Sequence, residues 1–228
     1  MSQPASTWAR EAAAVFAKEW RCELRTRYAL NTLALFAFTT LVVVGVSLGP
    51  LGVVAAQGTA VLPVLLWLIL LFAVAAGLPR AFVHEEESQT ATALRLAATP
   101  SALFCGKLGY GVTLVAGLEL IVTPLYLAMM NLTIVRPALL VATLLAGGFG
   151  LAAGSTLVAA IIAQARGKGT LFAVLSFPVL LPLLLLAVEL TRDAVLGASP
   201  GMALPQLMLY DASISVAGFM LFPTVWNP

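Results

Sequence analysis

The chain has 228 residues, of which 61% are hydrophobic and only 10% charged, with a formal net charge of +2. A water-soluble domain carries roughly 25% charged residues, and a chain of this length could not bury so much apolar surface, so a soluble globular fold is excluded. At about 20 apolar residues per crossing, the length holds about six membrane helices and no separate soluble domain.

The first 28 residues precede any apolar run. Residues 5–27 read as an amphipathic helix, with Trp8, Ala12, Val15, Phe16, Trp20 and Leu24 within about half a turn and Arg10, Glu11, Lys18, Arg21 and Arg25 on the other half. Such a helix suits the cytoplasmic membrane interface, with its tryptophans at headgroup depth. Glu19, Glu23 and Arg27 break the pattern by projecting from the apolar side; they pair at i,i+4 spacing or face protein instead of lipid. The charged stretch before Leu30, with no small-residue cleavage pattern after the apolar run, argues against a cleaved signal peptide.

Six apolar stretches follow, read as spans at 29–50, 60–81, 108–131, 138–163, 170–191 and 205–226. Helix is required because lipid leaves unpaired backbone groups no partner, and the period-two alternation of a membrane barrel is absent. Between spans two and three, residues 82–107 form a polar segment: acidic from Phe82 to Glu87, a short helix at Thr90–Ala98, a stop at Thr99-Pro100, and Ser101 as the cap of the next helix. This is either a docking surface for a cytoplasmic partner or an ordinary loop. Arg10, Lys18, Arg21, Arg25, Arg27, Arg80, Arg95, Lys107, Arg166 and Lys168 fall on one side and only Arg136 and Arg192 on the other, which places both termini in the cytoplasm. Cys22 and Cys105 fall on that same side, where thiols stay reduced.

Several chemistries have no support. Arg166-Gly167-Lys168-Gly169-Thr170 lacks the upstream glycine and the Ser or Thr directly after Lys that a phosphate loop requires. His84-Glu85-Glu86 lacks the second histidine of a zinc motif, and the chain has a single histidine. No base accompanies a nucleophile within the spans. The basic residues are accounted for by topology, so nucleic-acid binding is not indicated.

Three polar or helix-breaking features remain inside the spans. Glu119 lies about 18 Å along the helix from Lys107, near mid-bilayer, and serves either a substrate or proton-linked contact or a hydrogen bond to a neighbouring helix. Pro178 and Pro182, one turn apart, bend the fifth span, as a hinge or as a static kink. Gly45-x-x-x-Gly49 and Gly150-x-x-x-Gly154, the latter beside Gly147 and Gly148, allow close helix approach within the subunit or between subunits.

Four features together resemble the heme exporter protein B family (cytochrome c maturation protein B) over nearly the whole chain. They are Glu23-Leu24-Arg25 before the first span, Thr92 through Leu96 to Thr99-Pro100 with Gly106-Lys107, Gly147-Gly148-Phe149-Gly150 with Gly154, and Arg166-Gly167 with Leu171, Pro178 and Pro182. The family loop usually reads Gly-Thr-Leu-Glu; here Ala91-Thr92-Ala93-Leu94 stands in its place. The resemblance implies an all-α integral membrane protein of ABC-2-like permease type. It has six transmembrane helices in 29–228, an N-terminal interfacial helix in 1–28 and a cytoplasmic coupling helix in 82–107. It implies no catalytic activity in this chain and docking of a cytoplasmic ABC ATPase through Glu85, Glu86, Glu87, Thr92, Leu96 and Pro100. Glu119, Pro178 and Pro182 are the intramembrane candidates. The implied partners are cytochrome c maturation proteins C, D and E, membrane lipid and a second copy of the chain. Heme and ATP are then handled by partners, with no cofactor or metal bound directly, and the output is heme export or release of heme-loaded chaperone. Two other readings are an ABC-2-type exporter of a drug, lipid or polysaccharide, and a membrane scaffold that transports nothing.

Overall fold

The computed structural model describes residues 5–48, 58–79, 94, 97–163 and 168–226. Within these lie seven long helices: α1 (Ala5–Thr26), α2 (Tyr28–Leu48), α3 (Gly58–Gly77), α4 (Pro100–Met129), α5 (Pro137–Ala163), α6 (Lys168–Leu196) and α7 (Ala203–Trp226). There is no strand among the described residues. Five helices, α2, α4, α5, α6 and α7, are long and apolar enough to cross a bilayer. The expected second span is α3, whose apolar part Val61–Gly77 is shorter, about 25 Å at 1.5 Å per residue. The described residues therefore give five full-length crossings and one shorter apolar helix where six equal spans were expected.

The centre of the bundle is α5, and its glycines explain why. They admit bulky side chains from four neighbours: Trp67 of α3 at Gly147, Glu119 of α4 at Gly148, Leu183 of α6 and Asp211 of α7 at Gly150, and Leu180 of α6 at Gly154. A methyl group at Gly154 would lie 2.5 Å from Leu180 Cδ2. Helices in lipid gain little from apolar burial and associate by close packing, so a helix lined with missing side chains becomes the hub. The small-residue face is thus consumed within the subunit. Gly45 is likewise filled from within, by Met129.

Helix-interior prolines occur at Pro63, Pro124, Pro178, Pro182 and Pro223. Proline removes a backbone donor and pushes on the preceding turn, leaving carbonyls under-bonded. Next to the double proline, the Tyr210 hydroxyl donates to the Val179 carbonyl at 2.7 Å. Near Pro63, the Tyr126 hydroxyl donates to the Leu62 carbonyl at 2.8 Å. In each case a tyrosine on a neighbouring helix serves a carbonyl adjacent to a proline.

Candidate functional site

The inner end of the bundle is organised around α1 and the first half of α4. The two helices run in the same direction side by side. A Cβ at Gly106 would meet Val15 Cβ at 2.6 Å and the Ala12 carbonyl at 2.7 Å, so only glycine allows this approach. The packed face of α1 matches the expected apolar stripe only in part: Val15 is buried, and Phe16 and Trp20 pack against the core. Leu24 is 60% exposed, whereas Glu19 and Glu23 are buried with Val15. The stripe was expected to face lipid; the partner is a helix that carries its own polar groups, and the acids are turned to meet them.

Each acid of α1 has a distinct task. Glu11 Oε2 accepts the Thr99 backbone N–H at 3.0 Å and the Thr99 hydroxyl at 2.8 Å. Thr99 is the extended residue before α4, and Pro100, which has no N–H, occupies the first turn. Glu11 thus does from another helix what the glutamate of a capping box does locally. These two donors hold its carboxyl below the ordinary glutamate range. Ser101, expected as the cap, is displaced from that role because the helix starts at Pro100; its Oγ instead accepts the Trp8 indole N–H at 3.0 Å.

One turn pair further on, Lys107 Nζ donates to Glu19 Oε1 at 2.8 Å, and Lys18 Nζ donates to the same oxygen at 2.9 Å. Burial works against the charge on Glu19, but Lys107 and then Lys18 outweigh it and hold the carboxyl below its usual value. Glu23 joins three helices. Its Oε2 accepts the Tyr110 hydroxyl at 3.1 Å, and its Oε1 accepts the Leu30 N–H in the first turn of α2 at 2.8 Å. Trp20 adds an indole hydrogen bond to Thr113 at 3.1 Å and an edge-on contact with the Tyr110 ring at 5.7 Å. The opposite side of α4 is held by an aromatic cluster: Phe104 lies 5.3 Å from Phe219 and 5.4 Å from Phe222 of α7. The first turns of α4 are therefore wedged between α1 and α7.

Of the residues singled out for docking, Pro100 stands at the start of this wedge. Glu85, Glu86, Glu87, Thr92 and Leu96 lie outside the described residues, as does His84. Of the short helix expected at Thr90–Ala98, residues 94, 97 and 98 are described, and the Ala98 N–H donates to the Leu94 carbonyl at 3.1 Å.

Deeper in the bundle, Glu119 is buried against α5, and a Cβ at Gly148 would lie 2.6 Å from both of its carboxylate oxygens. Asp211, which was not singled out from the sequence, is its counterpart on α7, buried against Gly150. Glu119 Oε1 and Asp211 Oδ1 have no hydrogen-bond partner among the described residues. The only sequence signal for Asp211 is that it is the one acid of its span. Pro178 is exposed and Pro182 half-buried on α6. Cys22 and Cys105 are both free thiols.

Comparisons with known proteins complete the picture. The family model described as CcmB protein matches residues 10–224, from α1 to α7. The chain is also 32% identical over 165 residues to heme exporter protein B of Bradyrhizobium diazoefficiens, a match covering 72% of each chain.

Proposed function

Because the chain belongs to the CcmB protein family, we propose that it is the permease subunit of a heme-export complex in cytochrome c biogenesis. In this reading α3 is the second of six spans, the protein is multi-pass in the bacterial inner membrane, and both termini are cytoplasmic. It has no catalytic residue. A cytoplasmic ABC ATPase docks on residues 82–107 through Glu85, Glu86, Glu87, Thr92, Leu96 and Pro100, and its closure on ATP supplies the work. Heme is the cargo and is held by partners resembling cytochrome c maturation proteins C, D and E, not by an axial ligand here. Its output is heme export or release of the heme-loaded chaperone.

One observation carries this reading. The helix that emerges directly from the docking segment is fastened at its first turn by Glu11, at its second by Glu19 and at its third by Glu23. Glu23 also holds the first turn of α2. A push delivered at Pro100 is therefore delivered to α1 and α2 at once, and through Phe104 to α7. A scaffold has no need of such a linkage.

The test is a deletion strain complemented with Glu19→Gln and scored for c-type cytochromes, with chain level and ATPase co-purification measured alongside. Coupling through the clasp predicts that the ATPase still co-purifies while cytochrome assembly falls. Full assembly with α1 detached would overturn the mechanism.

A further inference from the structure

All three acids of α1 point at α4 or α2, but its arginines do not. Arg21 and Arg25, one turn apart, are exposed, as is Arg27 at the elbow into α2. None of the three forms an ion pair among the described residues. Interleaved with them are two exposed apolar side chains, Leu24 at 60% and Tyr28 at 45%. Residues 21, 24 and 25 follow i, i+3, i+4 spacing, so they share one outward face of α1; Arg27, whose φ of 52° breaks the helix, and Tyr28, the first residue of α2, follow at the elbow. The level of this face is fixed: Glu23, on the buried side of the same turn, is tied to Tyr110 and to Leu30 in the first turn of α2. Beyond it α2 continues outward with exposed Leu35 and Phe38. The elbow thus presents guanidinium groups where an apolar span begins.

We propose that Arg21, Arg25 and Arg27, with Leu24 and Tyr28, form a binding site for the phosphate headgroup of an anionic phospholipid in the inner leaflet. Guanidinium groups match phosphate oxygens in bidentate geometry. Leu24 and Tyr28 give the upper acyl region an apolar wall, with the phenol at the interface where such rings sit. The acids that would neutralise the arginines are committed to the opposite side of the same helix, so the elbow keeps its positive charge. The inference rests on the orientation given above, with α1 at the cytoplasmic face, and does not depend on coupling to an ATPase.

The test uses the full chain in detergent, equilibrated with equal amounts of phosphatidylglycerol and phosphatidylcholine, with retained lipid counted by native mass spectrometry. Each arginine near an anionic surface contributes about fivefold, reduced by salt, so phosphatidylglycerol is expected to be enriched at least about tenfold. R21Q/R25Q/R27Q should lower the preference to below about twofold, whereas R21K/R25K/R27K, which keeps the charge but not the bidentate fork, should fall between that and the parent. The melting temperature of the glutamine variant in phosphatidylcholine alone should match the parent, which separates lost binding from lost folding. A parent chain without preference, or a glutamine variant that retains it, would overturn the proposal. So would a preference that emerges only in E85Q/E86Q/E87Q, since the arginines would then belong to the chain's own acidic run.

Discussion

Replacing Glu19 by glutamine keeps the side-chain shape and removes the carboxylate that accepts from Lys107 Nζ at 2.8 Å. The Lys107 side chain is 1% exposed and that of Glu19 7%, so water does not reach in to compensate. Removing one partner of a buried pair costs about 3–5 kcal/mol, because the remaining charge stays buried and loses that partner. Lys18, which shares the same oxygen, is left as a like charge nearby. If that cost falls on the docking of α1, the docked population relative to the undocked falls by about 150- to 5,000-fold. Replacing both partners, Glu19→Leu with Lys107→Met, should be close to neutral, since a matched apolar pair avoids the desolvation cost. Hydrogen exchange on the full chain reads this directly, because α1 amides exchange when the helix lifts from α4. Protection of residues 16–23 should collapse in the single variant and return in the double. Unchanged protection in Glu19→Gln, or equal loss in both variants, would refute the reasoning.

Charge reversal at Glu86 and Glu87 should weaken ATPase docking, read as reduced co-purification at physiological salt. Gly148→Ala should lower the melting temperature, with a cost of about 1–3 kcal/mol, because the new methyl meets the Glu119 carboxylate; Glu119→Gln alone should be milder than Glu119→Ala, which leaves a cavity. Tyr210→Phe should cost about 0.6–2 kcal/mol by removing the interhelical hydrogen bond from its hydroxyl to the Val179 carbonyl beside the double proline, again measured by thermal melting. Glu11 and Glu19 both have carboxyls held below the ordinary glutamate value of 4.5. A depressed folded value means their contribution is fully present above about pH 4.5 and is lost as pH falls below it. Trp20 fluorescence should therefore shift toward a solvated spectrum on acidification below that point and stay constant from pH 6 to 8; loss of α1 docking on raising the pH would contradict this sign.

The transmembrane helices were legible because hydropathy and the lipid's demand for internal hydrogen bonding act on each segment separately. Boundaries moved by a few residues, and among the described residues the second span, with Pro63 near its start, has the shorter apolar part Val61–Gly77. The face of α1 was legible only in part. Trp8, Val15 and Trp20 do mark a packed side, but Glu11 counted with the polar half, and Glu19 and Glu23 broke the apolar stripe, either pairing along the helix or facing protein. Read against Thr99, Lys107 and Tyr110 they become the reason for the packing. That pairing spans 87 or 88 residues of sequence, and no local pattern encodes it. The glycines of α5 announced close approach, but what fills Gly148 and Gly150 depends on how α4 and α7 are set against it, which is why Asp211 went unremarked.

The central claim is that α1 and the first half of α4 move as one body when the ATPase closes. It is tested most directly by electron–electron distance measurements on the reconstituted complex. One label pair joins Ala14→Cys on α1 to Cys105 on α4; the other joins Ala14→Cys to Val174→Cys on α6, with the remaining native cysteines changed to serine. A non-hydrolysable ATP analogue should leave the first distance unchanged within about 2 Å and shift the second by more than that. If the nucleotide instead separates Ala14 from Cys105, or moves neither pair, α1 and α4 are not a common lever.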